Sequence, residues 1–327
     1  AHESVRFLEL LVDDRTMTSA VLVDLVLGAA SVVGLWAGAT SLVTGAGRVA
    51  HRLGVPGLVV GLTVVAFGTS APEFAVTIDA ALTANPDISV GNIVGSNVLN
   101  LGFILGGVAL VRELTTPDDL VRRDAVVLVG STALALVFLA DLRLSRADGG
   151  VLVALLVAYL VVVLRTDGSR VQTRSVDRGH RTRVEAVRAV AGLAVVVGSA
   201  HVLVLAATDL ARLAGVSQWV VGVTVVAAGT SMPELAASLA AVRRGRAGLS
   251  AGNLVGSCVF NVLGVLGLAG AIQPLAVAPS ALTTTGLLLG TTVVVAAMFW
   301  TGDVLSRAEG AVLVALNAAN WVLDLIA

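Results

Sequence analysis

Two carboxylates sit in runs of sequence that are otherwise built for lipid. Glu73 ends the segment GTSAPE at 68–73 and Glu234 ends GTSMPE at 229–234, each one residue past a proline. An ionisable side chain in an apolar run is costly and marks a functional site by default. Pro72 and Pro233 cannot donate a backbone hydrogen bond and clash with the carbonyl four residues earlier, here Gly68 and Gly229. A kink there frees carbonyls around Ala66, Thr69, Ala227 and Thr230 to face a cavity. Two carboxylates with carbonyl and hydroxyl oxygens make a hard, all-oxygen site that suits Ca²⁺ or Na⁺. No His or Cys lies in either segment to favour a softer metal. The alternative from the same residues is that the prolines only bend helices and each Glu is neutralised by a proton or a salt bridge.

A second motif follows each glutamate: GNIVGSNVLN at 91–100 and GNLVGSCVFN at 252–261. Ser96 and Asn100, like Ser257 and Asn261, are four apart and share one helix face, with Asn92 and Asn253 a turn earlier. Such a stripe on an apolar helix lines an ion path. It serves equally for helix packing, with Gly91, Gly95, Gly252 and Gly256 as close contacts and the amides bonding across helices. The reading taken is ligation for the serines and second asparagines and packing for the glycines.

The elements that position these residues follow from composition. The 327 residues are 57% hydrophobic and 13% charged, with a mean hydropathy of +0.95. A soluble domain does not reach that value, so the fold class is an all-α membrane protein. Windows long enough to cross the hydrocarbon core number about ten: 19–47, 56–83, 88–111, 124–141, 148–165, 184–209, 216–241, 247–272, 278–301 and 307–326. Residues 1–18 read as a polar or amphipathic N-terminal leader or a disordered tail, and 166–183 as a solvated linker between two five-helix halves, 19–165 and 184–327. Asp24, Asp79 and His201 read as satisfied or snorkelling residues, and Trp219, Trp300 and Trp321 as interfacial anchors. The single cysteine, Cys258, excludes an internal disulfide, and no basic cluster with aromatics points to nucleic acid.

All 21 basic side chains other than histidine are arginine. With ten crossings, five fall on the side of the N-terminus and sixteen on the other. The positive-inside rule then puts both termini outside and the linker in the cytoplasm of a multi-pass cell-membrane protein.

The halves are copies. Laying 57–106 over 218–267 aligns both motifs without a gap, inside motif blocks 57–110 and 218–271. Five helices per half invert the second copy relative to the first, the plan of secondary transporters whose sites lie where interrupted helices meet at the midplane.

The paired GTSxPE and GNxVGSxVxN motifs resemble the α-repeats of the cation/Ca²⁺ exchanger superfamily, in particular prokaryotic sodium/calcium exchangers. The resemblance implies that Glu73 and Glu234 are acidic ligands shared by Ca²⁺ and Na⁺, with the Thr69 and Thr230 carbonyls completing the calcium site. It assigns the Ala66 carbonyl, Ser70 and Ser96 to one flanking Na⁺ position, and the Ala227 carbonyl, Ser231 and Ser257 to the other, with Asn100 at the centre. It also makes 19–47 and 184–209 the pair that slides against the core. Asn261 stands where that family often has an aspartate, and Cys258 stands where the first copy has Asn97, leaving a site of formal charge −2 if both glutamates ionise.

The expected activity is Ca²⁺ for Na⁺ antiport, with Ca²⁺, Na⁺ and the lipid bilayer as partners. No prosthetic group and no protein partner are implied, and no nucleophile and base pair points to an enzyme. An H⁺/Ca²⁺ antiporter is the alternative, and a cation channel a more distant one.

Overall fold

The computed structural model describes residues 2–52, 70–116, 123–167, 180–243, 247–302 and 304–326. The first half contains α1 (His2–Arg52), α2 (Ala71–Leu82), α3 (Pro86–Val111), α4 (Ala125–Phe138) and α5 (Arg146–Asp167). The second contains α6 (His180–Ala214), α7 (Gln218–Thr230), α8 (Met232–Arg243), α9 (residues 247–272), α10 (Ser280–Thr301) and α11 (Arg307–Ile326). Four two-residue strands sit in the connections: β1 (Leu114–Thr115), β2 (Arg143–Leu144), β3 (Leu275–Ala276) and β4 (Val304–Leu305).

Six described helices are long and apolar enough to cross a membrane. A seventh span results if α7 and the start of α8, bent by 42° at Ser231, count as one. The sequence led us to expect about ten spans. Among the described residues α4 has only 14 residues, and the segment before α2 lies outside them.

A shift of 161 residues superimposes the element boundaries. It carries α2 onto α8, α3 onto α9, β1 onto β3 and β2 onto β4. The caps repeat as well. Ser145 Oγ donates to Asp148 Oδ2 (2.6 Å) while its own N–H donates to the same oxygen (2.9 Å), and Ser306 repeats this with Glu309 Oε2 at 2.7 and 2.7 Å. Each is a capping box that satisfies donors at the start of α5 or α11.

The connections touch one another in two sets. β1 pairs antiparallel with β4, and Thr116 Oγ1 donates to Gly302 O (3.0 Å) beside that pair. β2 pairs with β3, the Ala278 N–H donates to Asp87 Oδ1 (2.8 Å), and Gln218 Nε2 donates to Asn85 Oδ1 (3.2 Å). Each strand therefore pairs with the strand that is not its counterpart.

The core sits between α3 and α9. The membrane-length window of α3 is 83% buried and that of α9 72%, against 17% for α1 and 22% for α5. Ile93, Leu101 and Leu105 of α3 meet Leu254, Leu263 and Leu266 of α9 in the main cluster. Removing such side chains from contact with lipid gains nothing hydrophobic, so close packing and internal hydrogen bonds hold this centre together. Outside it, α1 and α6 pack against each other along small residues. A Cβ on Gly38 would fall 2.9 Å from the Gly192 carbonyl, and Arg48 Nη1 pairs with Glu185 Oε1 at 2.7 Å near one end.

Trp219 departs from its expected role. It is 1% exposed, and its indole N–H donates to Thr284 Oγ1 of α10 (3.2 Å). It fills the core rather than anchoring an interface, because α3 and α10 cover it. Trp300 is exposed, and Trp321 packs edge-on against Phe103 at 5.3 Å.

Candidate functional site

Both glutamates lie in the first turn of a helix. Ser70 (φ −85°, ψ 10°) precedes α2, and Ser231 (φ −82°, ψ 7°) separates α7 from α8. The prolines fall in the first turn, where a missing N–H costs nothing, and the glutamates follow at the positive end of the helix dipole. The dipole therefore favours negative charge where each carboxylate sits.

The two helix starts meet, and each serine serves the opposite glutamate. Ser231 Oγ donates to Glu73 Oε1 at 3.2 Å, and Ser70 Oγ donates to Glu234 Oε1 at 3.4 Å. Both glutamates are 0% exposed. Among the described residues no arginine makes an ion pair with Glu73, and Glu73 Oε2 has no hydrogen-bond partner.

The GNxVGSxVxN stripes border this pair. Ser96 Oγ lies 3.2 Å from Thr230 Oγ1, which is also 3.0 Å from Asn92 Oδ1 and 3.2 Å from Ala227 O. The Ala227 carbonyl also accepts from the Ser231 N–H (3.0 Å), so it is already engaged. Asn261 Nδ2 donates to Asn97 Oδ1 (3.1 Å), and Asn97 Nδ2 donates to the Cys258 carbonyl (3.1 Å). Asn100, fully buried, has no partner for either amide atom among the described residues, nor has Ser257 Oγ or Asn261 Oδ1. Buried polar atoms are normally paired, so a group of orphaned oxygens around two carboxylates fits a cation.

Of the residues singled out in the sequence, Ser70, Glu73, Ser96, Ser231, Glu234 and Thr230 come together through these contacts, with Ala227 behind Thr230. Ala66 and Thr69 lie outside the described residues. Gly91 packs on α7, where a Cβ would lie 3.3 Å from the Trp219 carbonyl. A Cβ on Gly252 or Gly256 would meet nothing within 4 Å among the described residues.

Three features were not anticipated. The main chain widens to π-helix at Leu99–Leu105 and Asn261–Leu266, at the second asparagine of each stripe. Such bulges free backbone groups and recur at functional sites. Asn317 of α11 answers the first: with its amide oriented to satisfy both atoms, it donates to Val98 O (2.7 Å) and accepts from Gly102 N (3.2 Å). Finally, Asp79 and His201, read separately in the sequence, are partners across α2 and α6, with Nδ1 at 3.0 Å from Oδ1.

Among the described residues no group of three or more His, Cys, Asp or Glu side chains is placed to hold a metal. The candidate site instead combines two carboxylates with neutral oxygens.

The model of the sodium/calcium exchanger protein family matches residues 23–165 and 185–323. The sodium/calcium exchanger MaX1 of Methanosarcina acetivorans is 31% identical over 328 residues, covering 87% of this chain and 93% of that protein. Inner membrane protein YrbG of Escherichia coli is 35% identical over 72% of this chain and 76% of its own. Among solved structures, the sodium-calcium exchanger NCX_Mj soaked with 100 mM Na⁺ and 10 mM Sr²⁺ matches with a TM-score of 0.65 at 27% identity, over 91% of this chain and 97% of that one. The chain is a multi-pass membrane protein that belongs to the sodium/calcium exchanger family.

Proposed function

We propose that this protein is a secondary active antiporter that exchanges Ca²⁺ for Na⁺ by alternating access at a midplane site formed by Glu73 and Glu234. The observation that carries the reading is the crossed pair of contacts, Ser231 to Glu73 and Ser70 to Glu234. Each carboxylate is thus held by the opposite half and can reach an ion held between them.

Two five-helix repeats inverted about an axis in the membrane plane account for the element shift of 161 residues and for the crossed strand pairing. If ten crossings alternate, β1 and β4 fall on one face and β2 and β3 on the other, in line with their pairing. Copies related by simple rotation along the membrane normal would instead put β1 beside β3. In this frame both termini are extracytoplasmic and 166–183 is the cytoplasmic linker, absent from the two matched family segments.

In the proposed cycle Ca²⁺ is bound by Glu73 and Glu234 with the Thr69 and Thr230 carbonyls. One Na⁺ takes the Ala66 carbonyl, Ser70 and Ser96, and another the Ala227 carbonyl, Ser231 and Ser257, with Asn100 and Asn261 central. Na⁺ at the second position competes with the Thr230 hydroxyl and the Ser231 N–H for the Ala227 carbonyl. An empty, doubly anionic site is too costly to move through hydrocarbon, which makes exchange obligatory. The α1 and α6 pair, locked by Arg48 and Glu185, slides as one body against the centre.

The test is Ca²⁺ uptake into proteoliposomes under Na⁺, H⁺ and K⁺ gradients imposed one at a time. Uptake driven by the Na⁺ gradient alone is expected. Uptake driven by a pH gradient without Na⁺ would replace this reading with H⁺/Ca²⁺ exchange, and flux without any counter-ion would indicate a channel.

A further inference from the structure

The two halves differ where their sequences are alike. In the first, Ser89 Oγ donates to the Thr77 carbonyl (2.9 Å), while Asn92 Nδ2 reaches Thr77 Oγ1 (3.0 Å) and the Glu73 carbonyl (3.3 Å). These bonds stitch α2 to α3 between the glutamate and the 83–85 turn, and all three residues are 0% exposed. The shift of 161 residues carries Thr77, Ser89 and Asn92 onto Ser238, Ser250 and Asn253. There the equivalent bonds are missing: Ser238 Oγ, Ser250 Oγ and Asn253 Nδ2 have no hydrogen-bond partner among the described residues. Ser238 and Ser250 are each 1% exposed, so lipid headgroups and bulk water do not explain them. All the groups that would make the second set of bonds, on α8 and on α9, lie among the described residues.

Ser238 stands one turn beyond Glu234, and Ser250, Asn253, Ser257 and Asn261 follow along one face of α9 at three- and four-residue steps. The line runs from the start of α9 to the central carboxylates. Unpaired hydroxyls and amides in such a place call for water or a passing cation. On the opposite side Thr77, Ser89 and Asn92 are consumed by their own hydrogen bonds.

We propose that these two trios are the latches of a paired polar gate, fastened by hydrogen bonds between α2 and α3 and unfastened between α8 and α9, so that the approach from the face carrying Arg243 opens the more readily. The proposal rests on the midplane site argued above, and it names the residues that line and seal the approaches. In the opposite state Ser250 bonds the Ser238 carbonyl, Asn253 bonds Ser238 Oγ, and the first trio releases. Because each trio bonds neighbouring helices of one half, opening one while closing the other exchanges the local structures of the two copies. That exchange costs little net energy, since similar bonds are broken and made.

The gate can be read without transport. In a Cys258→Ala background, Ser250→Cys and Ser89→Cys are treated in proteoliposomes, free of Na⁺ and Ca²⁺, with a membrane-impermeant methanethiosulfonate from each face in turn. Each bond of a closed trio lowers its opening equilibrium by about fivefold, so the Ser250→Cys thiol should react at least about tenfold faster than the Ser89→Cys thiol, and from one face only. Equal rates, or a faster Ser89→Cys, overturn the proposal. Asn253→Cys is a second reporter with the same expectation should Ser250→Cys fail to fold. A cross-link supplies an independent measure. The closed trio holds positions 77 and 92 at 3.0 Å, so Ser238→Cys with Asn253→Cys should join under a mild oxidant as the second gate closes, stopping Ca²⁺ flux until reduced. Cross-linked protein that still exchanges ions overturns the proposal. Labelling rates need no active site, so they stand whether or not Glu73→Gln abolishes exchange, and the gate and the site can fail separately.

Discussion

Ser231 reaches across from the second half of the chain to donate a hydrogen bond to Glu73 at 3.2 Å, and Ser70 returns the contact to Glu234 at 3.4 Å. These bonds are charge-assisted when the glutamates ionise. In the proposed cycle each serine also belongs to a Na⁺ position, so it must choose between glutamate and ion.

Ser231→Ala removes one Na⁺ ligand and one carboxylate contact. The loss of a bond worth about 1 kcal/mol should weaken the apparent Na⁺ affinity about fivefold, with a smaller change for Ca²⁺. Titrating Na⁺ against Ca²⁺ flux in proteoliposomes checks this. An unchanged Na⁺ dependence removes Ser231 from the ligand set.

In the proposed site Asn261 stands where a third carboxylate would alter the charge. With two glutamates its formal charge is −2, matched by one Ca²⁺ or two Na⁺, so exchange should not respond to an imposed membrane potential. Asn261→Asp adds a third carboxylate that favours a third Na⁺ and should make Ca²⁺ uptake potential-dependent. Its side chain would face the Asn97 carbonyl oxygen that Asn261 now donates to, so folding should be monitored alongside.

Asn317 holds the π-helical segment of α3. Asn317→Ala leaves Val98 O and Gly102 N without their partner and should cost about 1–3 kcal/mol, read as a lower Tm in detergent. Gly102→Ala should also lower Tm, because a Cβ at position 102 runs into the Asn317 side chain. A Tm unchanged in both variants contradicts this role.

Asp79 and His201 are hydrogen-bond partners between α2 and α6, with the Asp79 side chain 21% and His201 50% exposed. In lipid, removing one partner strands the other. Asp79→Asn and His201→Gln should each lower Tm more than the double variant does relative to their sum, a coupling of about 0.5–1 kcal/mol. Strict additivity would show that the pair does not matter.

Much of this was legible in the chain. A proline and a glutamate in an apolar run, repeated at a fixed distance, carry their own physical argument, and the same spacing later proved to govern helix ends, strands and caps. What the sequence does not show is partnership across the halves. Ser231 could have served Glu234 or Glu73, and only the meeting of the two helix starts decides for Glu73. Asp79 and His201 were each plausible alone because nothing in spacing links residues on different helices. Trp219 was misplaced since a tryptophan near a helix end reads as interfacial, whereas the burial of its neighbours is a tertiary fact. Thr77, Ser89 and Ser238 gave no signal, because serine and threonine commonly bond their own helix backbone in membranes.

In the proposed cycle Glu73 and Glu234 share one exchanged cation. The most direct test is Na⁺-gradient-driven Ca²⁺ uptake by Glu73→Gln and Glu234→Gln beside the unaltered protein, with folding checked by Tm. Each substitution should abolish uptake, since one carboxylate cannot neutralise Ca²⁺ in so buried a place. Normal uptake by either folded variant would contradict a site built from both.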